Sequence, residues 1–451
     1  MPDRSIQSVP ISTRQAPPIR TPRVPALPPA RRWTLSNGLE VVAIHVEQAP
    51  ILMVEMIWRA GRPYEARRFL AGATNALLME GTRHRTASEL EATFEQYGTS
   101  LETPDDYDTA NLSLATITKH AEHLLPVMLE VMAEPGFAER DLKRYKKRSR
   151  QQLREDQEDP DWLAYQMLSE AAFGTENPYG YGGTKADYDA LRLPAVQHHF
   201  EQYYGARNAT LRVVGQLSAR VESLLESTFG QLRPGPEITT PSYQVENGAP
   251  GLLQSHRPRA QQTMIRRGRR GFRIDDPDYP GLAVLETILG GYYGSRLMRN
   301  IREEKGYTYG IDSELDTYRF DGTLGISADV ANENVEAVRT EILVEMDKLR
   351  QHLVPPAELD MVKAYLLGGL VQDLDGPLAV SSRYRSAIIK QYDPTEHLRR
   401  LDDTIRNITA TEIRDLAQRH LRPELDWEVC VGGHPLPGAV EVSLKEENQP
   451  R

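Results

Sequence analysis

The chain has 451 residues, 39% hydrophobic and 26% charged, an ordinary globular composition with room for more than one domain. A formal net charge of −10 argues against the basic face of a nucleic-acid binder. A single cysteine, Cys430, excludes an intrachain disulfide and a cysteine-built zinc finger. It sits in WEVCVGG, an apolar strand pattern, and reads as a packed core thiol.

The first 30 residues are rich in Pro, Arg and Ser and form an extended arm, either a disordered tail or a segment that wraps a partner. They contain no apolar run of the roughly 7–15 residues that a secretory signal needs. The expected location is therefore cytoplasmic, with the periplasm as the alternative if the start were misassigned. No window approaches the roughly 18 apolar residues of a membrane-spanning helix, so no membrane association is expected.

Residues 31–46, RRWTLSNGLEVVAIHV, predict a hairpin around Asn37-Gly38. ILMVEMIWRAG then reads as a buried strand and FLAGATNALLMEGT (69–82) as a helix. Residues 99–117 predict a second hairpin, and KHAEHLLPVMLEVMA (119–133) has the apolar spacing of an amphipathic helix. A long charged helix covers 139–153, and ATLRVVG (209–215) is a strand. The Pro- and Gly-rich stretch 233–260 reads as a linker. Beyond it come a strand (TMIRRGRRG), a helix with a glycine-rich loop (PGLAVLETILGGYYGS), a charged helix stopped at Gly306, and a strand beginning YTYGID.

The second half repeats the first. Gly72 and Gly81 are spaced as Gly281 and Gly290 are; Leu142 and Lys146 match Leu359 and Lys363; Gly215 matches Gly432. The expected division is an arm (1–30), a first domain (31–232), a linker (233–260), a second domain (261–440) and a tail (441–451). Each half reads β-β-β-α-α-β-β-α-α-α-β. The expected fold class is α+β: two homologous α/β-sandwich domains, each an antiparallel-rich sheet flanked by helices.

The segment GYYGSRLMRNIREEKGYTYG, following a Gly-Gly pair, resembles the glycine-rich loop and adjoining segment of the pitrilysin/insulinase family of peptidases. The resemblance covers roughly residues 30–440 and implies one half of a clam-shell peptidase. Active members are inverzincins. Their helix carries H-x-x-E-H, two zinc-binding histidines one turn apart with a Glu that activates water, and a further Glu about 75–80 residues on completes the ligand set. Carried onto this chain from the Gly81-Thr82 pair, the first His falls on Gly72, the Glu on Asn75 and the second His on Ala76. The downstream ligand falls on Gln151 or Gln152. None of these can bind zinc or act as a base, and 69–81 holds no His. No metal is expected on this chain. His84, His120, His123 and His198-His199 read as surface, loop or structural residues, and Glu155 as a solvated charge.

The same resemblance assigns a catalytic role to Arg302 and Tyr309, which would be presented to substrate across the chamber. Arg offers a planar fork of donors, and a Tyr hydroxyl can add a bond near the scissile carbonyl. The plainer alternative pairs Arg302 with Glu303 or Glu304 and leaves Tyr309 a strand aromatic; Tyr307 is the rival tyrosine. The loop residues Gly290, Gly291, Tyr292, Tyr293, Gly294 and Ser295 are expected to meet substrate or partner. The loop lacks the Lys of a phosphate-binding motif. The resulting reading is a zinc-less subunit of a heterodimeric peptidase, with zinc on a homologous partner and a peptide as substrate. The alternatives are a scaffold subunit, or a chain that binds peptides without cutting them.

Overall fold

In the first half, Asn37 fixes its own turn: its side-chain amide donates to the carbonyls of Phe229 and Leu232, both at 2.8 Å. Strand β1 (Arg31–Thr34) therefore folds back antiparallel on β2 (Glu40–His45). The computed structural model describes residues 22–47, 50–243 and 248–442. The first half continues with β3 (Ile51–Trp58), α1 (Leu70–Leu77), α2 (Ala87–Glu95), β4 (Leu101–Glu102), β5 (Ala110–Ile117), α3 (Ala121–Ala133), α4 (Glu139–Glu158), α5 (Pro160–Phe173), α6 (Lys185–Ala190), α7 (Leu193–Tyr203), β6 (Ala209–Gly215) and α8 (Ala219–Phe229). The second contains β7 (Leu252–His256), β8 (Gln262–Arg270), α9 (Tyr279–Leu289), a π-helical segment (Met298–Glu304), β9 (Thr308–Thr317), β10 (Gly322–Ala331), α10 (Val335–Gln351), α11 (Pro356–Gln372), α12 (Gly376–Lys390), α13 (Pro394–Asn407), α14 (Ala410–His420), β11 (Trp427–Gly432) and β12 (Val440–Glu441).

Each half builds a six-stranded sheet, in the orders β1-β2-β6-β3-β5-β4 and β12-β7-β11-β8-β10-β9. From the second strand on the orders match, and the parallel pair β2/β6 has its counterpart in β7/β11; the outermost strand is antiparallel β1 in the first sheet and parallel β12 in the second. The duplication extends to single bonds. Lys146 donates to the carbonyl of Asp189 at 3.2 Å, and Lys363 to that of Arg406 at 3.1 Å. The expected α+β architecture with antiparallel-rich sheets is the one observed. Between β5 and β6 the chain makes five helices rather than three, because Asp159-Pro160 starts α5, with Pro160 at the first helical position and Asp159 accepting from the Asp161 N–H, and a Thr184/Asp187 capping box starts α6.

The two halves exchange helices. Leu163, Ala164 and Met167 of α5 pack beneath the second sheet on Val429 and Val431. Val380 and Tyr384 of α12 share a core with Val42, Ile44 and Val214 of the first sheet. A buried network ties α12 down: Arg385 donates to Glu55 at 2.8 Å, Arg212 donates to the same carboxylate, and Arg212 also reaches Ser381.

Three boundaries differ from expectation. The linker assigned to 233–260 contains β7, and Gln254 within it is buried, its amide bonded to the His434 carbonyl and the Leu436 N–H. Satisfied polar residues disguised this strand as linker, so the second sheet begins at Leu252. Of the tail, Glu441 joins Val440 in the edge strand β12, and residues 443–451 lie outside the described residues. The arm, where described, covers its own second half: Leu27 is buried, the Ala30 N–H donates to the Tyr384 hydroxyl, and that hydroxyl donates to the Pro28 carbonyl. Residues 1–21 of the arm lie outside the described residues.

Candidate functional site

Helix α1 starts without a side-chain cap of its own; Phe69 precedes it with φ +65°. Glu65 takes over that task. Its carboxylate accepts the N–H groups of Phe69 and Ala71 at 3.0 and 2.8 Å, and the Tyr181 hydroxyl donates to it as well. Burial nevertheless pushes its pKa up to about 7. Phe69 stacks on Tyr188 with ring centroids 4.3 Å apart.

So positioned, α1 presents Gly72, Asn75 and Ala76 to a cavity of about 660 Å³ between the halves, closed on other sides by Tyr145, Asp106 and Lys390. The residues present do not fit zinc. Gly72 and Ala76 carry no donor atom. The Asn75 amide donates to the Asn111 carbonyl at 3.3 Å, while its own Oδ1 is buried without a hydrogen-bond partner. A Cβ placed on Gly72 would lie 3.7 Å from the Tyr145 hydroxyl, and burial raises the pKa of that phenol, which holds it neutral. Among the described residues no group of three His, Cys, Asp or Glu is arranged to hold a metal ion.

The downstream position is corrected by helical phase. Gln151 and Gln152 are exposed and bond along α4, to Glu155 at 3.0 Å and Asp156 at 2.8 Å. Neither lines the cavity. Tyr145 is the α4 residue that faces α1, and counting residues back from Asp159-Pro160 did not account for rotation around the helix. His199 is buried on the Ala60 carbonyl at 3.0 Å, His84 pairs with Glu134 at 2.9 Å, and His120 and His123 pack on Tyr97. Cys430 is buried in β11.

The glycine-rich loop follows α9. A side chain at Gly290 would meet the Ser313 backbone N at 2.4 Å, and one at Gly291 would meet the Glu286 carboxylate at 2.6 Å. The loop is thus pressed onto α9 and β9. Gly290 and Ser295 are buried, and the Ser295 hydroxyl accepts from the Met298 N–H at 3.4 Å. These two shape the loop and do not offer a contact surface, because a close backbone approach and a cap both require burial. Tyr293 is 62% exposed, with its ring 5.1 Å from the Arg302 guanidinium carbon.

The segment Met298–Glu304 is π-helical, not α-helical. The Asn300 amide anchors it to Glu341 and Glu345, and Lys305 pairs with Glu341 at 2.5 Å. Gly306, at φ +65°, ends it as expected. Arg302 makes no bond to Glu303 or Glu304; Tyr293 is its neighbour. Tyr309 is 88% exposed on the edge strand β9, where the pairing with β10 slips between Ala328 and Val330. Tyr307 is half-buried against the core. The cavity over α1 touches β9 only at Thr317 and beyond. At about 3.3 Å per residue, Tyr309 lies about 25 Å along the strand from that point.

Residues 41–181 match the profile of the insulinase family (peptidase family M16), and residues 190–366 that of the peptidase M16 inactive domain. The chain belongs to the M16 peptidase family. It is 21% identical over 364 residues to the uncharacterized zinc protease YmxG of Bacillus subtilis, covering 78% of this chain and 86% of that protein. A solved M16 inactive domain from Pseudomonas fluorescens superposes with a TM-score of 0.81 at 22% identity, covering 89% of this chain and 98% of the other. A chain of Complex III2 from Candida albicans superposes at 0.71 and 16% identity, covering 89% and 95%. These likenesses show the fold: two mixed sandwich domains forming a clam-shell half. The M16 relatives carry the name zinc protease, whereas α1 here has none of the inverzincin ligands. No helix among the described residues is long and apolar enough to cross a membrane. Glu65, Tyr145 and Lys390 are the site residues missed from sequence. No local motif marks them, because they converge from three separate segments.

Proposed function

We propose that this chain is the zinc-less member of a two-chain M16 peptidase and lends Arg302 and Tyr309 to a zinc site on a homologous partner. One observation carries the reading. Tyr309 faces solvent about 25 Å along β9 from this chain's own α1 cavity, with Arg302 in the segment that leads into that strand, and the described residues there include no group of three His, Cys, Asp or Glu arranged to hold a metal. A tyrosine so placed does not reach its own chain's α1 cavity. The attacking water and its metal come from the partner. Here, the unpaired Arg302 guanidinium holds a peptide carbonyl through two donors. The Tyr309 hydroxyl donates to the oxygen on which charge develops.

The purified chain should contain no stoichiometric zinc and show no proteolysis, and activity should appear on mixing with an H-x-x-E-H homologue. In that complex Arg302→Ala or Tyr309→Phe should lower turnover by roughly 10²-fold, with no dissociation in sedimentation. One zinc per chain with chelator-sensitive activity would overturn the reading, as would unchanged turnover in both variants. The likeness to a Complex III2 chain favours a second reading, a core subunit of a larger assembly. A stable complex without peptidase activity would support it.

A further inference from the structure

The internal duplication supplies a control for a surface on α11. In the register that pairs Lys146 with Lys363, Arg144 corresponds to Met361 and Arg148 to Tyr365, while Gln151 and Gln152 correspond to Gly368 and Gly369. On α4 this face is charged and satisfied: Arg144 and Arg148 both bond Glu80, and the glutamines bond along the helix. On α11 the same face is apolar and bare. Met361 is 54% and Tyr365 52% exposed. A Cβ added to Gly368 or Gly369 would meet nothing within 4 Å.

The face is continuous with the glycine-rich loop. The Tyr292 ring lies 5.1 Å from that of Tyr365, and its hydroxyl donates to the Met361 sulfur at 3.7 Å. Tyr293 continues it to Arg302. A contiguous aromatic and thioether patch in water differs from scattered exposed residues and marks a contact site.

We propose that this patch binds apolar side chains of an extended peptide, beside the point where Arg302 and Tyr309 meet its backbone. Size selects the occupant. Tyr365 and Met361 about half exposed, Tyr293 more so and Tyr292 partly buried together offer on the order of 400 Å², about half of the roughly 800 Å² per partner in a stable protein interface. The bare glycine surface leaves room for a peptide main chain. The placement of the peptide rests on the proposed function; its binding does not, and is measured on this chain alone.

The test is an anisotropy titration of the full chain, without metal or partner, using a fluorescein-labelled unstructured peptide with Phe and Leu at its centre. The control probe has Ser at both positions. The wild-type chain should bind the Phe/Leu probe at least tenfold more tightly. Met361→Arg with Tyr365→Arg, which copies the α4 face, should reduce that preference to within about twofold, and Met361→Ser with Tyr365→Ser should do the same; unchanged melting curves confirm that both variants fold. Equal binding of the two probes by wild type, or a preference retained in both variants, overturns the proposal. A variant that loses self-association or partner binding while keeping the peptide preference makes the face a subunit interface and overturns it too. If Arg302→Ala and Tyr309→Phe leave turnover intact while the probe preference holds, the proposed function fails and this site stands.

Discussion

Glu65 and His199 make stability depend on pH in opposite directions. Glu65 is held up to about 7 by burial, so its contribution to stability is fully present below the unfolded value near 4.5 and is lost as pH rises toward 7. His199 is pushed down to about 4, first by burial. Its contribution is present above the unfolded value near 6.5 and is lost as pH falls toward 4. Glu65→Gln should therefore remove the Glu65 loss and leave the His199 gain, so that between pH 5 and pH 7.5 its urea-unfolding free energy rises relative to wild type by on the order of 2 kcal/mol. An unchanged slope would mean that Glu65 is ionised in the fold. At this scale the sequence was legible wherever chemistry alone decides: Gly72, Asn75 and Ala76 cannot hold zinc in any conformation. Tyr145 was not legible, because which α4 residue faces α1 depends on how the two helices are rotated.

The elements that carry Arg302 and Tyr309 are a π-helical segment, a glycine stop and an edge strand. The wide turn shows in two i→i−5/i−6 bonds, Lys305 N–H to the Asn300 carbonyl at 3.2 Å and Tyr307 N–H to the Ile301 carbonyl at 3.0 Å. Apolar periodicity over RLMRNIREEK cannot distinguish this from an α-helix, since the segment is shorter than two α turns of phase drift. The stop was legible, as only a left-handed residue reverses the chain there. Gly306→Ala meets no neighbouring atom, so its effect isolates the backbone: about 1 kcal/mol of lost stability in denaturant titration. An effect near zero would show that the left-handed turn carries no strain for Ala. β7 was missed for the opposite reason. Its buried Gln254 is paired to backbone groups that come from the far end of the chain.

For the whole molecule, exchange of α5 and α12 makes the halves interdependent. Glu55 is 1% exposed between Arg212 and Arg385. Glu55→Ala leaves two guanidinium groups unpaired at the seam and should destabilise by roughly 3–5 kcal/mol. Calorimetry of the intact chain should show one transition, because neither sheet keeps its covering helix when the other half unfolds. Two resolved transitions, or full stability in the Glu55 variant, would refute the coupling.

The sequence by itself determined the duplication, the sandwich class, the family resemblance and the loss of zinc ligands on α1. These follow from period, turn chemistry and side-chain identity, all of which are local. The tertiary structure alone decided which helix covers which sheet, that Tyr145 and not a glutamine faces Gly72, and that Tyr309 stands exposed far along β9 from its own chain's cavity. The physical reason is the same in each case: these outcomes depend on packing between segments far apart in sequence, where rotation about a helix axis and the course of an edge strand are set by contacts that no local pattern encodes.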